Sequence, residues 1–144
     1  MRSLVKTIAL SLVFVAGAAA AKDGVTNPVV KARMDTMQAV RANVAILGDM
    51  AGGKTAFDAA AAKTAQAALA AAAASATEKF KPQETDPVSE AKPEIWTNWD
   101  DFAAKADALS KAAAALDPSS LDTVKAGMGA VGGTCKACHS VYRM

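Results

Sequence analysis

The sequence predicts an all-α protein, an antiparallel up-down-up-down four-helix bundle. Three observations predict it. Four Ala-rich segments repeat their apolar residues with the 3.6-residue period of a helix. No stretch alternates apolar and polar residues convincingly, as a half-buried strand does. Mostly short connections join the segments, so consecutive helices run antiparallel around one core.

The chain has 144 residues, and its first 21 stand apart. Arg2 and Lys6 form a basic start, Ile8 to Val15 are mostly apolar, and Ala18 to Ala21 offer small residues for cleavage. This reads as a secretory signal, residues 1–21, with cleavage expected after Ala21. Its apolar run is shorter than the ~20 residues a membrane span needs, so it is read as a signal and not an anchor. Residues 22–144 then form one domain by size. Removing Arg2 and Lys6 from the 16 basic and 14 acidic residues leaves basic and acidic side chains in balance. No basic surface is predicted, and nothing suggests nucleic acid.

In the first helix Asn27 is a good N-cap with Pro28 at the first helical position, and the segment runs to about Met50. Val30, Met34, Met37, Val40, Val44 and Leu47 recur at helical steps and make one apolar stripe. Ala51-Gly52-Gly53 ends it. The second helix is expected from Thr55, with Asp58 in a capping-box position, through an Ala run to about Lys79. Its large apolar residues before Phe80 are Phe57 and Leu69, so it offers close approach more than buried area.

Residues 81–92, with Pro82, Pro87 and several acids, read as the longest loop, long enough to cover part of a site. Pro93 opens a short turn carrying Trp96. The third helix, about Asn98 to Leu116, places Phe102, Ala106, Leu109, Ala113 and Leu116 on one face, and Asp117-Pro118 stops it. Ser119 or Ser120 caps the fourth helix, which continues to the C-terminus. Gly127, Gly129, Gly132 and Gly133 each cost a free helix about 1 kcal/mol relative to Ala. They imply either close approach to the backbone or a break in the helix.

On this last helix Leu121, Val124, Met128, Val131, Cys135, Cys138 and Tyr142 follow one seam. The seam carries Cys135-Lys136-Ala137-Cys138-His139, a C-x-x-C-H run, the attachment signal for c-type haem. Two cysteines three apart on a helix share a face, so each sulfur can take one vinyl group of the same porphyrin. His139 follows at once as the proximal ligand. It is the only histidine, and these are the only two cysteines. A zinc site would be one ligand short, and a thioredoxin-like redox pair would need a βαβ setting. One haem c per chain, held through Cys135 and Cys138, is the expectation, with the haem inside the bundle. Covalent haem with an export signal implies a periplasmic location. With a single histidine and no nucleophile beside it, no catalytic constellation is present, and an enzyme is not expected.

An exported four-helix chain with C-x-x-C-H in its last helix resembles the class II cytochromes c, the cytochromes c′ and their low-spin relatives of the cytochrome c-556 type. The resemblance covers the whole chain after the signal. It is most specific at 132–143, at Val30-Lys31-Ala32-Arg33 and at Pro93-Glu94-Ile95-Trp96. It implies a haem-propionate contact for Arg33 and a place beside the proximal imidazole for Arg143. Ser140 and Ala32 depart from the family's acid and aromatic at those places, and the first departure bears on the proximal hydrogen bonding. The resemblance also implies that the residue four after the first-helix arginine decides the chemistry. That residue is Met37. A methionine ligand there gives a His/Met low-spin haem that carries single electrons. A non-ligating side chain leaves a five-coordinate iron that binds nitric oxide or carbon monoxide.

Of the two, the Met37-ligated electron carrier is the expectation, and core packing is the role Met37 would otherwise have. Met34 is the neighbouring competitor; Met50 and Met128 are poorly placed. Arg33 could instead be a solvated charge, and Arg143 could simply suit the helix dipole. Trp96 and Trp99 read as packing residues, Tyr142 as packing near the haem, and Lys136 as facing water. Redox partner proteins are expected, and the resemblance implies a homodimer through the first two helices, which the Ala-rich second helix would permit.

Overall fold

The computed structural model describes residues 24–144. The expected signal 1–21 and its cleavage point lie outside the described residues. Four long helices and one single-turn helix follow in order: α1, Pro28–Ala51; α2, Ala59–Phe80; α3, Glu94–Thr97; α4, Trp99–Ala115; and α5, Leu121–Tyr142. Among the described residues there is no strand, only an isolated bridge between Ala91 and Arg143. No helix among them is long and apolar enough to cross a membrane.

The helix ends follow local chemistry. Asn27 caps α1 by accepting the N–H of Val29 and Val30. α2 begins later than Thr55: Asp58 is itself the N-cap and accepts from Ala61, so residues 55–57 stay outside the helix. A carboxylate that satisfies a free helix-end N–H sets the start more firmly than the preceding propensity does. Ser120 and Thr123 form a reciprocal capping box at the start of α5. α5 stops at Tyr142, with Arg143 extended, two residues short of the expected C-terminal end. The four glycines do not break α5. Gly127 marks a close approach, because a Cβ there would lie 2.9 Å from Leu116 Cγ; Gly129, Gly132 and Gly133 face open space.

The long helices pack as a ring, α1 on α2, α2 on α4, α4 on α5 and α5 back on α1. One apolar cluster joins Val40 and Leu47 of α1, Leu69 and Ala73 of α2, Ala113 of α4 and Val131 of α5. The small α2 side chains Ala62, Ala65 and Ala73 let α2 nest closely on its neighbours, as its composition implies. A second cluster is aromatic. Phe102 sits 5.2 Å from Phe80 and 5.4 Å, edge-on, from Tyr142, with Ile95 buried beside them. Between the two clusters α1 and α5 touch least, and a cavity separates them.

Candidate functional site

The cavity has a volume of about 810 Å³, within the range of a cofactor site. Val30, Met34, Met37, Val40 and Val44 of α1 supply one wall. Thr134, Cys135, Cys138, His139 and Tyr142 of α5 supply another. Phe102, Ala106 and Leu109 of α4 close the side, and Ala76 and Phe80 of α2 with Ile95 of α3 close the base. Residues Ser89, Glu90 and Ala91 of the long loop reach the cavity, so that loop does cover part of the site.

All six residues singled out by sequence line this one cavity: Arg33, Met37, Cys135, Cys138, His139 and Arg143. Met34 lines it as well. Met50 lies in the apolar core and Met128 packs against that core beside Gly48, away from the cavity. The spacing arguments succeed because α1 and α5 are regular throughout, so residues three or four apart do share a face.

The α5 donors suit a c-type haem. Cys135 and Cys138 are free and half-buried, and burial pushes both thiols above their ordinary range. Among the described residues no group of three or more His, Cys, Asp or Glu is placed to hold a metal ion. Burial, and then the Arg143 guanidinium, hold the His139 imidazole below its usual range, which favours the neutral ligand form. Two thiols one turn apart, a neutral imidazole beside them and an apolar cavity fit a porphyrin joined at one edge.

The end of α5 is tied down firmly. The Tyr142 hydroxyl donates to Asp101 at 2.6 Å, and its carbonyl accepts from the Lys92 N–H at 3.0 Å. This pairing with Asp101 raises the Tyr142 phenol to about 12. Arg143 forks onto Glu90 at 2.8 and 2.5 Å, and the Met144 N–H reaches the Glu90 carbonyl at 2.9 Å. The turn bearing Cys138 and His139 is thereby held against the loop and against α4.

Arg33 is 2 % exposed, so it is not a solvated charge. Its Nε donates to the Lys79 carbonyl at 3.2 Å, Nη1 to that of Glu84 at 2.8 Å and Nη2 to that of Pro82. The guanidinium lies 5.5 Å from the Phe80 ring centre and 4.9 Å from that of Trp96. It closes the C-terminal end of α2 and gathers the following loop over the cavity. Trp96 donates a hydrogen bond from its indole N–H to the Phe80 carbonyl at 2.9 Å, and the Trp99 ring packs 5.6 Å from that of Phe102.

Sequence reasoning did not single out Gln38, Arg41 or Lys105, which also line the cavity. Arg41 follows Met37 by four residues, so the helical spacing that found Met37 carries a signal for it. Lys105 and Glu90 had no such signal, because the fold alone brings α4 and the loop to the site.

The cytochrome C′ family model matches residues 28–143. A cytochrome c-556 of Agrobacterium tumefaciens (strain apple 185) is 36% identical over 118 residues, covering 78% of this chain and 92% of that protein. A cytochrome c′ of Cereibacter sphaeroides is 34% identical over 146 residues, covering 96% of this chain and 98% of that protein. Among solved structures, a nitric oxide complex of a cytochrome c prime variant from Alcaligenes xylosoxidans superposes with a TM-score of 0.72 at 29% identity. It covers 80% of this chain and 93% of that one.

Proposed function

Since the chain belongs to the cytochrome c′ family, we propose that it carries single electrons through a haem ligated by His139 and Met37. The family's cofactor is haem c, and Cys135 and Cys138 are the two thiols to which it is joined. Haem c supplies a one-electron iron couple when bound. The observation that carries the proposal is that Met37 of α1 and His139 of α5 line the same cavity from different walls.

The residues divide the work. Cys135 and Cys138 would anchor the porphyrin edge, and neither is tied up in a disulfide. His139 offers a neutral nitrogen whose position follows from the tied end of α5. Met37 offers a soft thioether, which favours the reduced metal and raises its potential. Bound there, it would also leave no open position for outside ligands. Phe80, Phe102 and Leu109 keep water from the wall they line, and rigid packing on all sides keeps rearrangement on electron transfer small. The chain acts as a carrier and not an enzyme, since His139 is the lone histidine and is committed to ligation. It works in the periplasm with a redox partner protein, and the Ala-rich face of α2 supports pairing of two copies through α1 and α2.

A second reading has specific support: the relatives named cytochrome c′ and the nitric oxide complex among the similar structures weigh for a five-coordinate protein that binds nitric oxide or carbon monoxide. The c-556 relative and the thioether at Met37 weigh for the first. Absorption spectra of the oxidised and reduced holoprotein, with carbon monoxide added to the reduced form, separate them. The expected result is a sharp low-spin α band, a weak far-red methionine charge-transfer band and little response to carbon monoxide, with Met37→Ala turning the spectrum high-spin. A broad high-spin parent spectrum with a large carbon monoxide shift would instead establish the gas-binding reading.

A further inference from the structure

Four cationic side chains line the cavity, Arg33, Arg41, Lys105 and Arg143, and among the described residues one carboxylate does, Glu90. That carboxylate is engaged by Arg143. Nε and Nη2 of Arg143 both donate to the same Glu90 oxygen, at 2.8 and 2.5 Å, a charge-assisted fork.

The backbone on both sides builds this pair. The Met144 N–H donates to the Glu90 carbonyl at 2.9 Å, and the Lys92 N–H donates to the Tyr142 carbonyl at 3.0 Å. Residues 90–92 and 142–144 therefore lie antiparallel about the Ala91–Arg143 bridge. α5 has no acid of its own to offer Arg143. After Asp122, in the first turn of α5, no acidic residue follows in the chain. Ser140 turns its hydroxyl to the Ala137 carbonyl at 3.3 Å. The carboxylate comes from the loop instead. Arg143 in turn follows His139 by one turn: its N–H donates to the His139 carbonyl at 3.3 Å, and both side chains line the cavity. Groups around a metal-bound imidazole fix its orientation and its strength as a ligand, so whatever holds Arg143 acts on His139.

We propose that Glu90 is a positioning residue for the His139 ligand, holding the Arg143 guanidinium in one place beside the imidazole and neutralising its charge. This rests on His139 binding the haem iron and is independent of whether Met37 does so.

The test uses ferric holoprotein grown with isotope-labelled histidine. His139 is the only histidine, so the paramagnetically shifted ring-nitrogen resonances report this imidazole alone. Reduction potential is measured beside them. Glu90→Gln should move the ring resonances and raise the potential, because an uncompensated Arg143 charge disfavours ferric iron. Glu90→Asp keeps the charge and should recover the potential. In an Arg143→Gln background, Glu90→Gln should leave the ring resonances where they were. Glu78→Gln, at an exposed α2 acid outside the cavity, should change neither property. Ring resonances unmoved by Glu90→Gln, or moved equally with and without Arg143, overturn the assignment, as does an equal displacement in Glu78→Gln. Ring nitrogens without any paramagnetic shift in the parent would instead remove His139 as ligand, the reading on which the assignment rests.

Discussion

Asp86 shows how one side chain can hold a loop. Its carboxylate accepts the N–H groups of Thr26 and Asn27 at 2.9 Å each and that of Val88 at 3.1 Å, so the long loop is pinned to the start of α1. Those backbone donors hold the carboxyl down, to about 2 from an ordinary 3.8. A depressed carboxyl contributes stability that is present above its unfolded value and is lost as pH falls through its folded one. Asp86→Asn should therefore melt at a lower temperature than the parent at pH 6. The gap should close as pH falls from about 4 to about 2. Melts that differ equally at both ends of that range would mean that Asp86 acts through shape and not charge.

At the scale of the element, α5 carries both its chemistry and an apparent weakness. Its glycines cost helix propensity, yet the helix is continuous, because packing on α4 and α1 and the Ser120–Thr123 cap compensate. The glycines are not equivalent. At Gly127 a methyl group would meet the buried Leu116 side chain, so Gly127→Ala should overpack the α4–α5 corner, against which helix propensity returns only about 1 kcal/mol. At Gly129 nothing lies within 4 Å, and Gly129→Ala should stabilise by about 1 kcal/mol. Thermal denaturation of the two holoprotein variants should give shifts of opposite sign. Equal gains from both would show that the corner yields without strain.

Across the whole molecule, the bundle is built around the space between α1 and α5. The aromatic cluster, the Arg33 clamp and the Arg143–Glu90 fork all border the cavity of about 810 Å³. A group that fills this cavity and binds only the folded chain stabilises it. Replacing both anchors, Cys135→Ser with Cys138→Ser, should give a haem-free protein with weaker helical circular dichroism and a lower, broader melt. α5 should lose hydrogen-exchange protection first, since its interfaces with α4 and α1 are the thinnest of the ring. Unchanged protection along α5 would show that the bundle core suffices without the cofactor.

The sequence by itself determined the elements and the cofactor, because those depend on short-range relations along one chain. Asn27 before Pro28, the apolar stripe of α1 and the seam of α5 are read at steps of three and four residues. The C-x-x-C-H run needs no tertiary contact to be recognised. The tertiary structure decided what depends on residues far apart in sequence. It made Asp58 the cap of α2, buried Arg33, which the resemblance gives a propionate contact, on the carbonyls of Lys79, Pro82 and Glu84, and tied Arg143 to Glu90. Helical periodicity places a side chain on a face, but the partner that side chain meets is supplied by other helices and by the loop, and only packing brings those within hydrogen-bonding distance.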